Sequence, residues 1–215
     1  MANLKLELNP ALYTKNPQDT ELGKKIVGEG VILINDLGFE QFTFKKLAQQ
    51  INTTEATIYR YFESKHRLLV YVIAWYWNWM DYKIQFSSHY LEDPKEKLAM
   101  AIKTLCRKKV NDPQFPMVNE SILFKIVINE SDKTYLTKEV DEINKLGVFL
   151  GVKQLCEKLM LLVNEINPNY KYGRSLCSTA IQTAHDQLFF CEHLLRLSDF
   201  TDSKNAPEDL SLIHI

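Results

Sequence analysis

Apolar residues recur every three or four positions along most of this chain, which is the spacing of one face of an α-helix. Between Thr20 and Leu37 they stand at positions 22, 26, 27, 31 and 34. Gly and Pro number only seven each among 215 residues, so long helices are permitted almost everywhere. The alternation typical of a half-buried strand does not compete with this spacing. The pattern predicts an all-α protein.

Capping residues divide this pattern into separate helices. Gly38 follows the first helix as a C-terminal stop, and Thr43 can cap the next one. Asn52, a residue type that tolerates left-handed backbone angles, stands at a turn, after which Thr53 or Thr54 caps another short helix. The predicted helices cover about 20–37, 44–51, 54–61, 65–89, 94–111, 116–130, 136–166 and 174–197.

The charge of the chain restricts any nucleic-acid role to a local patch. The formal net charge is −1, and a weakly acidic protein as a whole does not attract a polyanion. Residues 43–67 differ, because five cations outnumber two glutamates there and leave a net charge of +3. The cations are Lys45, Lys46, Arg60, Lys65 and Arg67, and the glutamates are Glu55 and Glu63.

Several other classes of protein lack support in the sequence. Four widely spaced cysteines without a CxxC motif predict small buried side chains in a reducing compartment. The first residues lack the apolar core of a signal peptide. The longest uncharged stretch, residues 68–80, is shorter than the about 20 residues of a membrane span. We therefore expect a soluble, cytoplasmic protein without a membrane partner.

No constellation of residues predicts catalysis. Cys191 and His193 would point to nearly opposite sides of a helix, and a Gly-rich phosphate loop is missing. Ser175 and Ser178 near His185 do not have the arrangement of a catalytic triad. We expect neither an enzyme, nor a metal site, nor a cofactor other than an unidentified small-molecule effector.

The two short helices after Thr43 predict a helix-turn-helix. In such a motif the N-terminal residues of the second helix meet base edges in the major groove. The residues expected on its outer face are Thr53, Thr54, Glu55, Ala56 and Arg60. The hydroxyls expected to reach phosphates belong to Thr43, Thr57, Tyr59 and Tyr61, and Lys65 adds a cation at the start of the next helix.

The stretch GFEQFTFKKLAQQINTTEATIYRYFESKHRLL resembles the DNA-binding domain of the TetR family of transcriptional regulators. Residues 57–65, TIYRYFESK, are close to the family pattern T-L-Y-x-Y-F-x-S-K. The resemblance covers about residues 20–70, and it implies that Thr43, Tyr61 and Lys65 contact phosphates. Two positions depart from the family: Asn52 replaces a usual Gly, and Glu55 is acidic. A carboxylate at position 55 repels phosphates but can accept a hydrogen bond from cytosine.

The resemblance also implies a division into domains. Residues 1–18 are predicted to be an N-terminal arm, and residues 19–68 the helix-turn-helix DNA-binding domain. A helical domain for ligand binding and dimerisation is predicted over residues 69–198, followed by a tail at 199–215.

An unusually aromatic helix begins the second domain, and two interpretations of it remain open. Its rings can fill a core on both sides of the helix, or they can line a cavity for a small molecule. The residues that the second interpretation proposes as ligand contacts are Trp75, Asn78, Trp79, Tyr82, Phe86, His89, Lys125 and His185.

The last two helices, 136–166 and 174–197, resemble the dimerisation pair of the family. Small residues at Ala180 and Ala184 permit close approach of helices, and two such hairpins can form a four-helix bundle about a two-fold axis. The resemblance implies a ligand-responsive homodimeric repressor that binds an inverted repeat in double-stranded DNA. The alternative is an interaction or ligand-binding protein of the same fold with weak or lost DNA binding.

Overall fold

The computed structural model describes residues 5–107 and 117–198. Within these ranges the protein consists of ten α-helices and three short 3-10 helices, and no strand is present, so the predicted all-α class is confirmed. The tail predicted at 199–215 and the first four residues of the arm lie outside the described residues. The α-helices are α1 Glu21–Leu37, α2 Phe44–Ile51, α3 Glu55–Tyr59, α4 Lys65–Ser88, α5 Pro94–Cys106, α6 Glu120–Glu130, α7 Asp132–Tyr135, α8 Val140–Lys145, α9 Leu150–Ile166 and α10 Gly173–His193.

The predicted caps at the beginning of the chain are confirmed. Gly38 ends α1 with a φ of 75°, a left-handed value that glycine adopts without steric cost. Thr43 caps α2, since its hydroxyl oxygen accepts from the backbone N–H of Lys46 at 3.2 Å. Ser64 similarly accepts from the N–H of Arg67 at the start of α4.

The prediction of one long helix over 136–166 is wrong. The chain there forms only α8 and α9, preceded by the non-helical residues 136–139 and separated by the non-helical residues 146–149. Leu136, with a ψ of 51°, ends α7, and Gly147, with a φ of 72°, lies between α8 and α9. A left-handed residue cannot continue a right-handed helix, so the apolar spacing carries on while the axis does not.

Three other boundaries also differ from the prediction. Helix α5 ends at Cys106, because the backbone of Arg107 is extended, and the remaining predicted residues, 108–111, lie outside the described residues. Helix α6 begins at Glu120, where the side chain of Asn119 caps it. Helix α10 ends at His193 and is followed by the 3-10 helix Leu195–Leu197.

The described chain divides into two compact units, and the boundary between them falls inside α4. The first unit comprises residues 1–78 and 109–150. In it α1 contacts α2, α6 and the 3-10 helix Pro17–Asp19. Side chains buried in this unit include Ile26, Val27, Val31, Phe42, Leu47, Ile58, Phe62, Leu68 and Trp75.

The second unit comprises residues 79–108 and 151–215, and in it α10 packs against α5. Its core includes Leu105, Leu155, Ile181 and Leu188. Cys106, Cys177 and Cys191 are buried as predicted, whereas Cys156 is half-buried. Burial raises the pKa of the Cys177 thiol to about 11. No helix in the two described ranges is both long and apolar enough to cross a membrane.

Candidate nucleic-acid interface

A tight turn joins α2 to α3. Asn52 adopts the left-handed conformation, with φ 56° and ψ 56°, and its N–H points back to the last carbonyls of α2. The N–H of Thr53 then donates to the carbonyl oxygen of Ala48 at 2.9 Å. Thr54 caps α3 by accepting from the N–H of Thr57 at 3.2 Å. These bonds satisfy the end of one helix and the start of the next, and they confirm the predicted helix-turn-helix.

Burial of one side of α3 determines which of its residues face outward. Ile58 is fully buried, together with the apolar side of α2. Glu55, Ala56 and Arg60 are exposed, and Tyr59 keeps 50% of its surface exposed while its ring edge packs on Phe44. Thr54 is also exposed, and Thr53 and Thr57 are half-buried. The outer surface of α3 therefore carries both hydrogen-bond donors and acceptors.

Thr43 and Lys45 lie exposed at the start of α2. The hydroxyl oxygen of Thr43 accepts a backbone N–H, which leaves its hydrogen available to donate. Backbone N–H groups at a helix start, combined with a nearby cation, favour binding of an anion such as a phosphate.

Tyr61 is 4% exposed, and its polar atoms are bonded within the domain. Its hydroxyl forms a 2.8 Å hydrogen bond with the hydroxyl of Thr20, the residue that caps α1. Its carbonyl oxygen accepts from the N–H of Thr14 at 2.8 Å. Tyr61 thus joins the end of α3 to the start of α1 and to the N-terminal arm.

Lys65 also has its donors engaged. Its ammonium donates to the carbonyl oxygens of Phe39, Glu40 and Phe42, at 2.9, 3.0 and 3.2 Å. A lysine ammonium has three hydrogens, so these bonds use all of them. The three carbonyls belong to the turn between α1 and α2. Lys65 therefore stabilises that turn, and the phosphate contacts of Tyr61 and Lys65 stay predictions.

Two cations of the first unit were not among the predicted contact residues. Lys45 was counted in the basic patch, and its exposure makes it a candidate. Lys15 belongs to the N-terminal arm, and its Nζ lies 5.2 Å from the centre of the Tyr61 ring. The arm shows no periodicity, so the sequence has no signal that would bring Lys15 to α3.

The predicted ligand contacts differ in their surroundings. Trp75, Trp79 and His185 are buried. Asn78 and Tyr82 are half-buried, and Phe86, with 67% of its surface exposed, stacks on the Tyr82 ring at 6.2 Å. His89 and Lys125 are exposed. Whether any of these residues binds a ligand stays a prediction.

A surface cleft of about 590 Å³ lies elsewhere, in the first unit. Lys24, Lys25 and Glu29 of α1 line it together with Met117 and Asn119, and none of the eight predicted ligand contacts does. Over the residues that the structure describes, no group of three His, Cys, Asp or Glu side chains is placed to hold a metal ion.

Comparisons with known proteins agree with this geometry. The sequence model described as "Bacterial regulatory proteins, tetR family" matches residues 26–72, which include α2, α3 and the start of α4. No curated protein matches the chain in sequence.

Two solved structures are similar to the whole chain in fold. The superantigen PfiT has a TM-score of 0.58 at 15% sequence identity, over 92% of this chain and 97% of that one. The fatty acid degradation regulator FadR from Bacillus halodurans has a TM-score of 0.57 at 19% identity, over 94% of this chain and 99% of that one. At such identities the likeness concerns the fold alone. Residues 26–72 therefore carry the DNA-binding domain of the TetR family, in sequence and in the helix-turn-helix fold, and a further helical region follows them.

Proposed function

We propose that this protein is a transcriptional regulator that binds double-stranded DNA as a homodimer and releases it in response to a small molecule. The observation that carries the proposal is the difference between the two sides of α3. Its outer surface carries the exposed residues Thr54, Glu55, Tyr59 and Arg60, and Ile58 on its inner side is fully buried. A short helix that is polar outward and anchored inward suits insertion into a major groove.

Each residue of the proposed interface has a role that its chemistry supports. Arg60 can donate two hydrogen bonds to a guanine, and Glu55 can accept from a cytosine. Thr53, Thr54, Ala56 and Thr57 lie at the end of α3 that approaches the bases. Thr43, Tyr59, Lys45 and Lys15 contact the phosphates on either side, which sets the orientation of the helix. In this proposal Tyr61 and Lys65 hold the motif in shape, because their polar atoms already have partners.

Dimerisation is proposed through α9 and α10, which are shorter than the two helices predicted from the sequence. Leu161 of α9 keeps 51% of its surface exposed, an apolar surface that a second copy could cover. A two-fold dimer presents two recognition helices to one side of the duplex, with half-sites about 34 Å apart. The proposed operator is therefore an inverted repeat, and the proposed effect is repression.

The ligand acts through a difference in its affinity for two arrangements of the dimer. One arrangement has the half-site separation of the operator, and the other does not. The effector is proposed to contact some of the eight polar and aromatic residues that the sequence predicts as ligand contacts.

Selection of duplexes from a random library by the wild-type protein tests the proposal. We expect an enriched inverted repeat, called the selected duplex below, and loss of its enrichment with Arg60→Ala. Arg60→Ala should weaken binding to the selected duplex by about 1–3 kcal/mol, mostly at one base position. Lys171→Ala, which removes an exposed cation between α9 and α10, is the matched control. No enrichment by a folded wild-type dimer at low salt would reject the proposal.

The second candidate is a protein of this fold that does not bind DNA. It is favoured by the exposed carboxylate of Glu55 on α3 and by the engaged ammonium of Lys65. The fold of a superantigen is also similar to that of this chain, so the fold by itself does not require DNA binding. This candidate predicts that Arg60→Ala leaves the cellular role of the protein unchanged.

A further inference from the structure

A buried carboxylate connects the end of α6 to the turn before the helix-turn-helix. Glu130 is the last residue of α6 and is 9% exposed. Its Oε1 accepts from the backbone N–H of Phe39 at 3.0 Å, across 91 positions of sequence. Phe39 follows Gly38 directly, so the bond lies where the chain leaves α1. A hydrogen bond to a charged, buried acceptor is among the stronger ones in proteins.

The second oxygen of the same carboxylate is also held. The ammonium of Lys133, in α7, lies 2.7 Å from Glu130 Oε2 and 3.2 Å from an oxygen of Glu40. The pKa of Lys133 is raised above its ordinary value, mainly because its ammonium donates to Glu130. Lys133 therefore bridges α6 and the turn between α1 and α2 a second time.

Lys65 of α4 also binds this turn, and we call the contacts of Phe39 with Glu130, Lys133 and Lys65 the Glu130 junction. Lys65 donates to the carbonyl oxygen of Phe39. The N–H of Phe39 is therefore bound by α6, and its carbonyl oxygen is bound by α4. The Phe39 ring lies beneath both cations, with Lys65 at 4.6 Å and Lys133 at 5.8 Å from its centre. A ring attracts cations on its face, so these contacts favour the same arrangement.

The junction lies four residues before the cap of α2. Thr43 begins α2 right after the carbonyl of Phe42, which Lys65 also binds. Helix α3 packs on α2 and is tied to it by the tight turn at Asn52. A displacement of the end of α6 relative to α1 would therefore reach α3 through residues 39–43. If the turn did not follow this displacement, the buried N–H of Phe39 would lose its acceptor, which is costly.

We infer that Glu130 is a positioning residue for DNA binding, which couples the state of α6 and α7 to the orientation of the recognition helix. The inference rests on the proposed function, since it concerns how that DNA surface is controlled. Glu130 need not contact either DNA or effector. Helix α6 is the element through which a change in the helical region reaches the turn before α2.

Coupling is reciprocal, so DNA itself can serve as the probe while the effector is unidentified. In the wild type, the selected duplex should slow amide hydrogen exchange in residues 120–135 as well as in α2 and α3. In Glu130→Ala the slowing should be confined to α1–α3, and the affinity for the selected duplex should fall about tenfold. Glu130→Gln, whose amide oxygen still accepts from Phe39, should lie between the two.

Two controls separate positioning from plain loss of stability. Glu142→Gln removes an exposed carboxylate paired with Lys145 in the same unit, and it should behave as the wild type. Circular dichroism at the temperature of the binding assay checks that each variant is folded. If Glu130→Ala is unfolded, Lys133→Met provides a milder change to the same contacts. Wild-type affinity and wild-type protection of residues 120–135 in a folded Glu130→Ala would overturn the inference. Failure of the wild type to bind any duplex would instead remove the proposed function, and the inference with it.

Discussion

Capping residues and their partners explain what could be predicted at single positions. Thr43 and Asn52 were predicted correctly, and Thr54 was one of the two predicted caps of α3, because a cap or a left-handed turn depends on residues three or four positions away. The partners of Tyr61 and Lys65 could not be predicted. Tyr61 bonds a hydroxyl 41 positions earlier, and Lys65 bonds carbonyls 23 to 26 positions earlier. Such pairs depend on how α1 packs beside α3 and α4, which no local pattern contains.

Lys15 provides a prediction at this scale. A helix in the major groove, about 12 Å wide, has phosphates on both sides, and Lys15 lies over the ring of Tyr61, two residues after the end of α3. The bond from Thr14 to Tyr61 holds the arm there before DNA arrives. Lys15→Gln should weaken binding to all duplexes and reduce the slope of log affinity against log salt by about 0.9.

A salt titration by fluorescence anisotropy measures this slope. The control Lys171→Gln removes an equal charge from the turn between α9 and α10 and should leave the slope unchanged. A slope for Lys15→Gln equal to that of the wild type would mean that the arm does not contact phosphates.

Helical elements were easier to predict than their ends. The spacing of apolar residues located α1, α2 and α4 well, because amphipathic helices repeat every 3.6 residues and Gly38 and Asn52 end two of them. The same spacing joined α8 and α9, together with the non-helical residues 136–139, into one helix, since consecutive short helices can keep an apolar side in register. Gly147 was the available signal for the break, but a glycine within a helical pattern need not be left-handed.

The turn between α2 and α3 gives a prediction at the scale of elements. Asn52 has a positive φ, which costs a β-branched residue about 1–2 kcal/mol. Asn52→Val should lower the free energy of unfolding by about that amount, whereas Asn52→Gly should change it little. Denaturation by urea measures both changes.

A matched variant in α2 distinguishes backbone strain from helix propensity. Gln49→Val places the same side chain at an exposed position with ordinary helical angles, and should cost only a few tenths of a kcal/mol. Equal losses from Asn52→Val and Gln49→Val would show that the left-handed turn is not the cause.

At the scale of the whole molecule, the described chain divides into two units, and α4 belongs to both. Its residues up to Asn78 lie in the first unit, and those from Trp79 lie in the second. The first unit contains the family's helix-turn-helix and the Glu130 junction, and α9 and α10 belong to the second. In the proposed function, assembly and DNA contact therefore depend on different surfaces, and we expect that a substitution can alter one without touching the other.

Leu161 tests this separation. It is half exposed on α9. In a two-fold interface both copies use the same surface, so a substitution of Leu161 would change the interface twice. Leu161→Glu would bury a charge without a partner, so we expect dimer dissociation to increase at least tenfold, or by about 1.4 kcal/mol or more. Sedimentation velocity over a range of concentrations measures the dissociation.

DNA binding then reports whether two recognition helices act together. For Leu161→Glu, the affinity for the selected duplex should fall towards the affinity for one half-site, while thermal unfolding of the monomer stays cooperative. The control Leu136→Glu replaces a leucine that is 73% exposed in the first unit, and it should remain dimeric with unchanged affinity. A dimeric Leu161→Glu that binds the selected duplex like the wild type would show that this face of α9 lies outside the interface. The search for the partner surface would then move to the other exposed apolar residues of the second unit.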